Sequence, residues 1–200
     1  MDLHEKSSTI DYYNNNADLY YRSTIGADLC EARRRFTAYL PDKSTIIDMG
    51  CGSGRDVLAF QNMGFDVIGI DASEELAKLA KKSLGIPVIK AEMSTWVSDK
   101  PFDGIWCCAS LMHLSESECK RFFFNLEYNL KQGGALYISV KSGIETGLDD
   151  AGRYMRNFQK EDIQELSDMA EGLRIVELWY TEDSLSRKDF KWLNVIIVKG

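Results

Sequence analysis

Three glycines at alternate positions, Gly50, Gly52 and Gly54, follow an acid, Asp48, at the end of the apolar run Ile46-Ile47. A second apolar run, Val67 to Ile70, ends in another acid, Asp71. A glycine has no Cβ, so a loop built this way can turn sharply out of a strand and let a ligand come close to the backbone. A helix opening at about Arg55 would aim unpaired N–H groups into that turn. An acid at the end of the second strand is placed to accept hydrogen bonds from a ribose diol, although a helix-capping role competes for the same carboxylate. Together these residues read as a site for a nucleoside-containing cofactor.

The spacing narrows the choice. A dinucleotide fingerprint, G-x-G-x-x-G, would need glycine at position 55 or 57, where the chain has Arg55 and Val57. No Lys-Ser/Thr pair follows the loop, which excludes a phosphate-binding P-loop. An oxidoreductase binding NAD is disfavoured on the same ground.

Two more stretches carry groups of chemical interest. A third apolar run leads to Ala91-Glu92-Met93, and a fourth ends in Cys107-Cys108-Ala109-Ser110-Leu111-Met112-His113. Ligands of open α/β sheets lie outside the carboxyl ends of the strands, which puts residues 109–113 beside the reacting centre. His113 there can take a proton from an incoming hydroxyl or ammonium. A helix-start histidine bonded to backbone explains the same residue equally well. His4 sits near the chain start, away from these runs.

The elements that must position these groups alternate. Strands are expected at 45–49, 66–70, 87–89, 102–108 and 135–140, and helices at 55–63, 73–83, 115–130 and 160–170. Ser73 and Ser115 stand as N-caps, with Gly133-Gly134 as the exit of the third of these helices. Strands alternating with helices imply βαβ units and a parallel sheet. Two final strands, 173–180 and 192–198, have no room for a crossover helix between them and must pair antiparallel. Ahead of all this, Tyr12 to Tyr21 packs four tyrosines into ten positions before an amphipathic helix at about 28–39.

Asp48-Met49-Gly50-Cys51-Gly52-Ser53-Gly54 resembles motif I of the class I S-adenosylmethionine-dependent methyltransferases, and Gly69-Ile70-Asp71 resembles their motif II. The resemblance covers roughly residues 40–200. It implies an α/β, Rossmann-like fold whose seven-stranded, mostly parallel sheet closes with a C-terminal antiparallel hairpin. The cofactor would be S-adenosyl-L-methionine and the product S-adenosyl-L-homocysteine. Gly50, Cys51 and Gly52 would cradle the methionine portion, and Asp48 would order that end indirectly. Asp71 with Ala72 would hold the ribose. Glu92 occupies the position of an acid that meets the adenine amino group, where the family more often has Asp, with Met93 against the ring. Ala109 and Ser110 would complete the cofactor site, leaving His113 as the catalytic candidate.

The resemblance further implies one methyltransferase domain over 1–200, with 1–40 as a helical lid and 41–200 as the cofactor-binding core. Tyr12, Tyr13 and Tyr20 would face ligand from the lid, or else simply pack it down. Arg153, Tyr154, Arg156 and Phe158 follow the fifth strand, where the acceptor is held in such enzymes, and Arg187 lies in the terminal hairpin. These arginines suit an anionic acceptor; Glu161, Asp162, Asp183 and Asp189 are equally able to pair with them at the surface. The expected reaction is in-line methyl transfer to a small molecule through oxygen, nitrogen, sulfur or a metalloid, as in the tellurite-methylating subgroup. An Asn-Pro-Pro-Tyr-type motif is absent after the fourth strand, against protein or DNA methylation. The alternative is a non-catalytic cofactor-binding module.

Composition agrees with this reading. A net charge of -7 argues against a nucleic-acid backbone as partner, and Arg33-Arg34-Arg35 reads as the solvated side of a helix. No apolar run reaches the ~18 residues of a membrane span, and the start does not look like a signal peptide, so a cytoplasmic protein is expected, as monomer or homodimer. Five cysteines without C-x-x-C spacing read as buried free thiols rather than disulfides, and no metal site is indicated.

Overall fold

The computed structural model describes residues 3–86, 88–183, 185 and 190–200. Pro87, expected to open the third strand, and Arg187 and Asp189 of the terminal hairpin fall outside the described residues, as does the side chain of His4. Three helices come first: α1 (Leu3–Asn15), α2 (Ala17–Thr24) and α3 (Cys30–Thr37). Then follow β1 (Thr45–Met49), α4 (Arg55–Asn62), β2 (Asp66–Asp71), α5 (Glu74–Leu84), β3 (Val88–Lys90) and β4 (Phe102–Cys108). The second half runs through α6 (Glu116–Asn129), β5 (Leu130–Ser142), β6 (Gly147–Leu148), β7 (Tyr154–Met155), α7 (Lys160–Asp168), β8 (Leu173–Thr181) and β9 (Lys191–Lys199).

Seven strands form one sheet in the order β3-β2-β1-β4-β5-β9-β8. All pairs from β3 to β5 are parallel, whereas β9 lies antiparallel to both β5 and β8. The two last strands therefore form the expected antiparallel hairpin, with its second strand inserted against β5. The strand order reverses between β1 and β4, which opens a crevice at their carboxyl ends.

Helices cover both faces, so the central strands are apolar throughout rather than alternating. Because neighbouring strand residues point to opposite faces, Ile47, Ile105 and Ile138 pack with Phe122, Phe123 and Leu126 of α6. Ile46, Trp106 and Tyr137 turn the other way, toward Phe36 of α3 and Phe60 of α4. The Trp106 and Tyr137 rings stack there at 3.9 Å, 16° from parallel.

Ser73 and Ser115 cap α5 and α6 through bonds from Leu76 N and Glu118 N, and Glu118 closes a capping box. Four details depart from expectation. β5 starts at Leu130, directly on α6, because Leu130 already pairs with Phe102. Gly134 then folds back so tightly that a Cβ would lie 2.8 Å from the Lys131 carbonyl oxygen. Arg33 is not solvated: its guanidinium is buried on Asp56, 2.5 Å away. Cys30 is exposed rather than buried, although all five cysteines are free. No helix among the described residues is long and apolar enough to cross a membrane.

Candidate functional site

The loop after β1 is bound to the end of β2. Gly50 N and Cys51 N both donate to the Ile70 carbonyl, at 2.9 and 3.0 Å. Gly52 N donates to Asp71 Oδ2 at 2.7 Å, and Ser73 N to Asp71 Oδ1 at 2.8 Å. Burial pushes the Asp71 carboxyl above its ordinary value, and the two N–H groups offset part of that rise. Two glycines are required here for stated reasons. Gly50 has φ +80, and a Cβ on it would stand 2.4 Å from Ser110 Cβ. Gly52 has φ +54, with the Tyr20 ring 3.3 Å from where its Cβ would be.

A cavity of about 110 Å³ opens over this loop. It brings together Gly50, Gly52, Asp71, Ala72, Glu92, Met93, Ala109, Ser110 and His113 with Tyr13 and Tyr20 from the N-terminal helices. Four other candidates lie elsewhere. Asp48 and Cys51 sit beneath the loop in a small pocket with Arg55 and Asp56. The Cys51 thiol faces Gly69, where a Cβ would come within 2.7 Å of its sulfur. Asp48 is 2% exposed, and its carboxyl is pushed well up, first by burial and then by Asp56. Tyr12 lines neither this cavity nor the next; its ring carries the Arg153 guanidinium at 4.7 Å.

A second cavity, about 220 Å³, adjoins the first and shares Tyr13, Tyr20 and Ala109 with it. Ala109 is strained at φ +57, and its N–H donates to the Ser139 carbonyl at 3.0 Å. Trp179, Trp192 and Met112 supply apolar wall, and Arg55, Lys141 and Arg153 supply cations. Arg153 is neutralised by Asp149, 2.6 Å away, not by the acids expected. Arg156 stands 3.8 Å from Asp162, outside both cavities.

Arg55, Lys6 and Trp179 were missed from sequence. Arg55 did leave a signal: a cation at a helix N-terminus is disfavoured by the macrodipole and implies a strong anion beside it. That anion is Asp56, 2.6 Å away. Lys6 left none. Its ammonium reaches Glu92 at 2.5 Å and Glu118 at 2.6 Å across more than eighty residues of chain.

His113 ends a single 3-10 turn, Leu111–His113, beyond β4. Its Nδ1 lies 2.8 Å from the Tyr154 carbonyl oxygen and its Nε2 lies 2.8 Å from Tyr13 Oη. A carbonyl only accepts, so Nδ1 carries the hydrogen. Burial brings the imidazole pKa down to about 4, with the Tyr154 bond opposing and Arg153 and Lys141 adding to the fall. The ring is thus neutral, and its Nε2 accepts from the Tyr13 hydroxyl. The backbone bond expected of a helix-start histidine is present, and the remaining lone pair is turned to the Tyr13 hydroxyl. Among the described residues, no group of three His, Cys, Asp or Glu could hold a metal ion.

An open sheet of this order, with a glycine loop and an acid at the reversal point, has the architecture of the class I S-adenosylmethionine-dependent methyltransferases, to which the chain is similar over part of its length. Residues 46–134 match the profile described as a methyltransferase domain. The chain is 29% identical over 140 residues to the putative methyltransferase YqeM of Bacillus subtilis, covering 66% of this chain and 57% of that protein. It is 31% identical over 104 residues to the 18S rRNA (guanine-N(7))-methyltransferase bud23 of Schizosaccharomyces pombe, covering 46% of this chain and 39% of that one. It thus spans about half the length of the curated relatives it matches. In fold it is similar to the 1,6-didemethyltoxoflavin-N1-methyltransferase of Burkholderia thailandensis, solved with 1,6-didemethyltoxoflavin and S-adenosylhomocysteine. That match has a TM-score of 0.76 at 21% identity, over 97% of this chain and 86% of the other.

Proposed function

We propose that the protein transfers a methyl group from S-adenosyl-L-methionine to a small-molecule acceptor, with the smaller cavity taking the cofactor and the larger one the acceptor. The observation that carries this reading is their junction. The cavity over the glycine loop and the cavity between α2, α3 and the β8–β9 hairpin share Tyr13, Tyr20 and Ala109 as a common wall. Bound there, the cofactor supplies an electrophilic methyl carbon on a positively charged sulfur.

The residues of the smaller cavity fit such a molecule. Asp71 spends one lone pair of each oxygen on the loop N–H groups and keeps the others for a ribose diol. Glu92 holds Lys6 through Oε2, leaving Oε1 for an adenine amino group. Ser94 lines the same cavity, and its Oγ is buried with no hydrogen-bond partner among the described residues, as a ligand-facing hydroxyl would be. A Cβ on Gly50 would strike Ser110 and one on Gly52 would press on the Tyr20 ring, both in the wall of this cavity. Positioning two reactants in adjoining cavities contributes roughly 7–11 kcal/mol in well-oriented systems, so few catalytic groups are needed.

We further take residues 1–40 as a lid over the core 41–200 of one domain, acting in the cytoplasm as monomer or homodimer. The net charge of -7 supports a small molecule over a nucleic acid as acceptor, despite the rRNA-directed relative. Thermal unfolding with saturating S-adenosylmethionine, S-adenosylhomocysteine or NAD tests the cofactor. Binding at 100 times its dissociation constant adds about 2.7 kcal/mol, or roughly 5–11 °C for a chain of this length. A shift with NAD and none with the adenosyl ligands would sink the proposal.

A further inference from the structure

We infer that Tyr13 Oη is the group that receives the hydrogen of the acceptor's attacking atom, and hence that the acceptor is a hydroxyl, phenol or ring N–H compound rather than a carboxylate or a metalloid oxyanion. The inference rests on the methyltransferase reading and deepens it.

Hydrogen-bond direction carries the argument. The Tyr154 carbonyl fixes the hydrogen of His113 on Nδ1, and Nε2 then has only a lone pair to offer. The single proton of Tyr13 is therefore committed to Nε2, 2.8 Å away. Toward everything else, the Tyr13 oxygen presents lone pairs alone. Its ring is held edge-on by Tyr12 at 5.4 Å and Tyr20 at 5.1 Å, both at 84°, and by His113 at 5.5 Å. The charged groups around this oxygen and its partner are Arg153, Lys141, Asp149 and Asp71. Arg153, bonded bidentately to Asp149, also donates toward the Tyr13 oxygen and leaves it one lone pair for a ligand.

Tyr13 lies in the wall shared by the two cavities, so a ligand reaching from the larger toward the smaller one meets this oxygen. A donor O–H or N–H is oriented by it. An attacking atom that bears only lone pairs faces another lone pair and is rejected, the repulsive half of specificity. During transfer the acceptor's lone pair forms the new bond to the methyl carbon, and the old carbon–sulfur pair returns to sulfur. The acceptor's proton passes to Tyr13 Oη as Tyr13's own proton passes to His113 Nε2. The resulting imidazolium keeps its Nδ1 bond to Tyr154 and releases the extra proton to water when the site opens. A weakly basic His113 is enough, because a hydroxyl or ring N–H gaining a bond to carbon becomes far more acidic than an imidazolium.

The test uses Tyr13→Phe beside the wild type, with three readouts. Calorimetry with S-adenosylhomocysteine is expected to give dissociation constants within about threefold of each other, since the ring and its packing remain. Imidazole ¹⁵N NMR, simple with two histidines in the sequence, is expected to show His113 protonated on Nδ1 alone in the wild type. In the variant the tautomer persists and the Nε2 resonance moves. Turnover is measured on catechol, theophylline, benzoate and tellurite. Wild type is expected to methylate from the first two, and the variant to lose about 10–100-fold in kcat, the scale of one hydrogen bond lost in a water-poor site. The inference is overturned by a hydrogen on Nε2, by an unchanged kcat in the variant, or by a wild type that methylates benzoate or tellurite in preference to catechol and theophylline. Failure of the wild type to bind S-adenosylhomocysteine overturns the methyltransferase reading instead, and calorimetry reports it before any acceptor is added. The NMR experiment on the wild type stands even if the variant does not fold.

Discussion

The Lys6 ammonium bridges Glu92, at 2.5 Å, and Glu118, at 2.6 Å, so one residue of the first helix holds an acid in the wall of the smaller cavity. This gives the longer side chain at position 92 a purpose: it reaches α1 as well as the cavity. The Glu92 side chain is 43% exposed and that of Lys6 25%, so solvent screens the bridge and its worth is about 1 kcal/mol. Lys6→Met is predicted to weaken S-adenosylhomocysteine binding about 3–10-fold by calorimetry. S-inosylhomocysteine, which lacks the amino group, should lose less. Equal losses for both ligands would leave Lys6 no part in reading the adenine.

Gly50→Ala meets two obstacles, a positive φ of +80 and Ser110 Cβ at 2.4 Å from the new methyl. Left-handed backbone costs a non-glycine residue about 1–2 kcal/mol, and overpacking adds typically 1–3 kcal/mol. The variant is therefore predicted to lose about 2–5 kcal/mol of unfolding free energy in urea. Ser110→Gly should recover the steric part and not the backbone part in a double-mutant cycle. Simple additivity of the two substitutions would mean that Ser110 is not what the methyl strikes.

Asp56 is the hub of a buried charge cluster beneath the loop. It accepts from Arg33 at 2.5 Å, from Arg55 at 2.6 Å and from Trp106 Nε1 at 3.2 Å, with 4% of its side chain exposed. Burial alone would raise its pKa, but Arg55 and Arg33 hold the carboxyl below its ordinary value. Removing one partner of such a cluster strands the others, which typically costs 3–5 kcal/mol. Asp56→Ala should lose about that much, whereas Asp56→Asn, which keeps an acceptor for Trp106, should lose less. Chemical denaturation of both variants decides, and equal losses would assign the cost to charge alone.

The parallel half of the fold was legible because each of its strands is a local apolar run bounded by turn residues, and the glycine loop because its residues lie close together in sequence. Asp71 could be placed from the length of one strand. The insertion of β9 between β5 and β8 could not, since alternation along a strand reports burial and not the neighbour. The larger cavity escaped for a related reason: Thr24, Arg55 and Trp179 meet only through tertiary packing of α2, α4 and β8. Tyr13 and His113 were each singled out, yet nothing local to either shows that a carbonyl at Tyr154 sets the direction of the bond between them.

The same imidazole makes stability depend on pH. His113 has an ordinary pKa of 6.5, and burial lowers it to about 4 in the folded chain. Between those values the unfolded chain holds a proton that the folded one refuses, so stability rises with pH across that window. The contribution is fully present above pH 6.5 and is lost as pH falls toward 4. It amounts to something on the order of 3 kcal/mol, at about 1.4 kcal/mol per pKa unit. Asp149 and Glu118 also titrate at acid pH, but they do so in any variant that leaves them in place. His113→Gln isolates the histidine: it is predicted to be less stable than wild type at pH 7.5, with a gap that narrows by pH 4.5. Urea unfolding of the two proteins at both pH values measures this directly. A gap that stays constant would mean that the fold leaves the imidazole at its ordinary pKa, and one that widens at pH 4.5 would mean that it is protonated in the fold and donates to Tyr13.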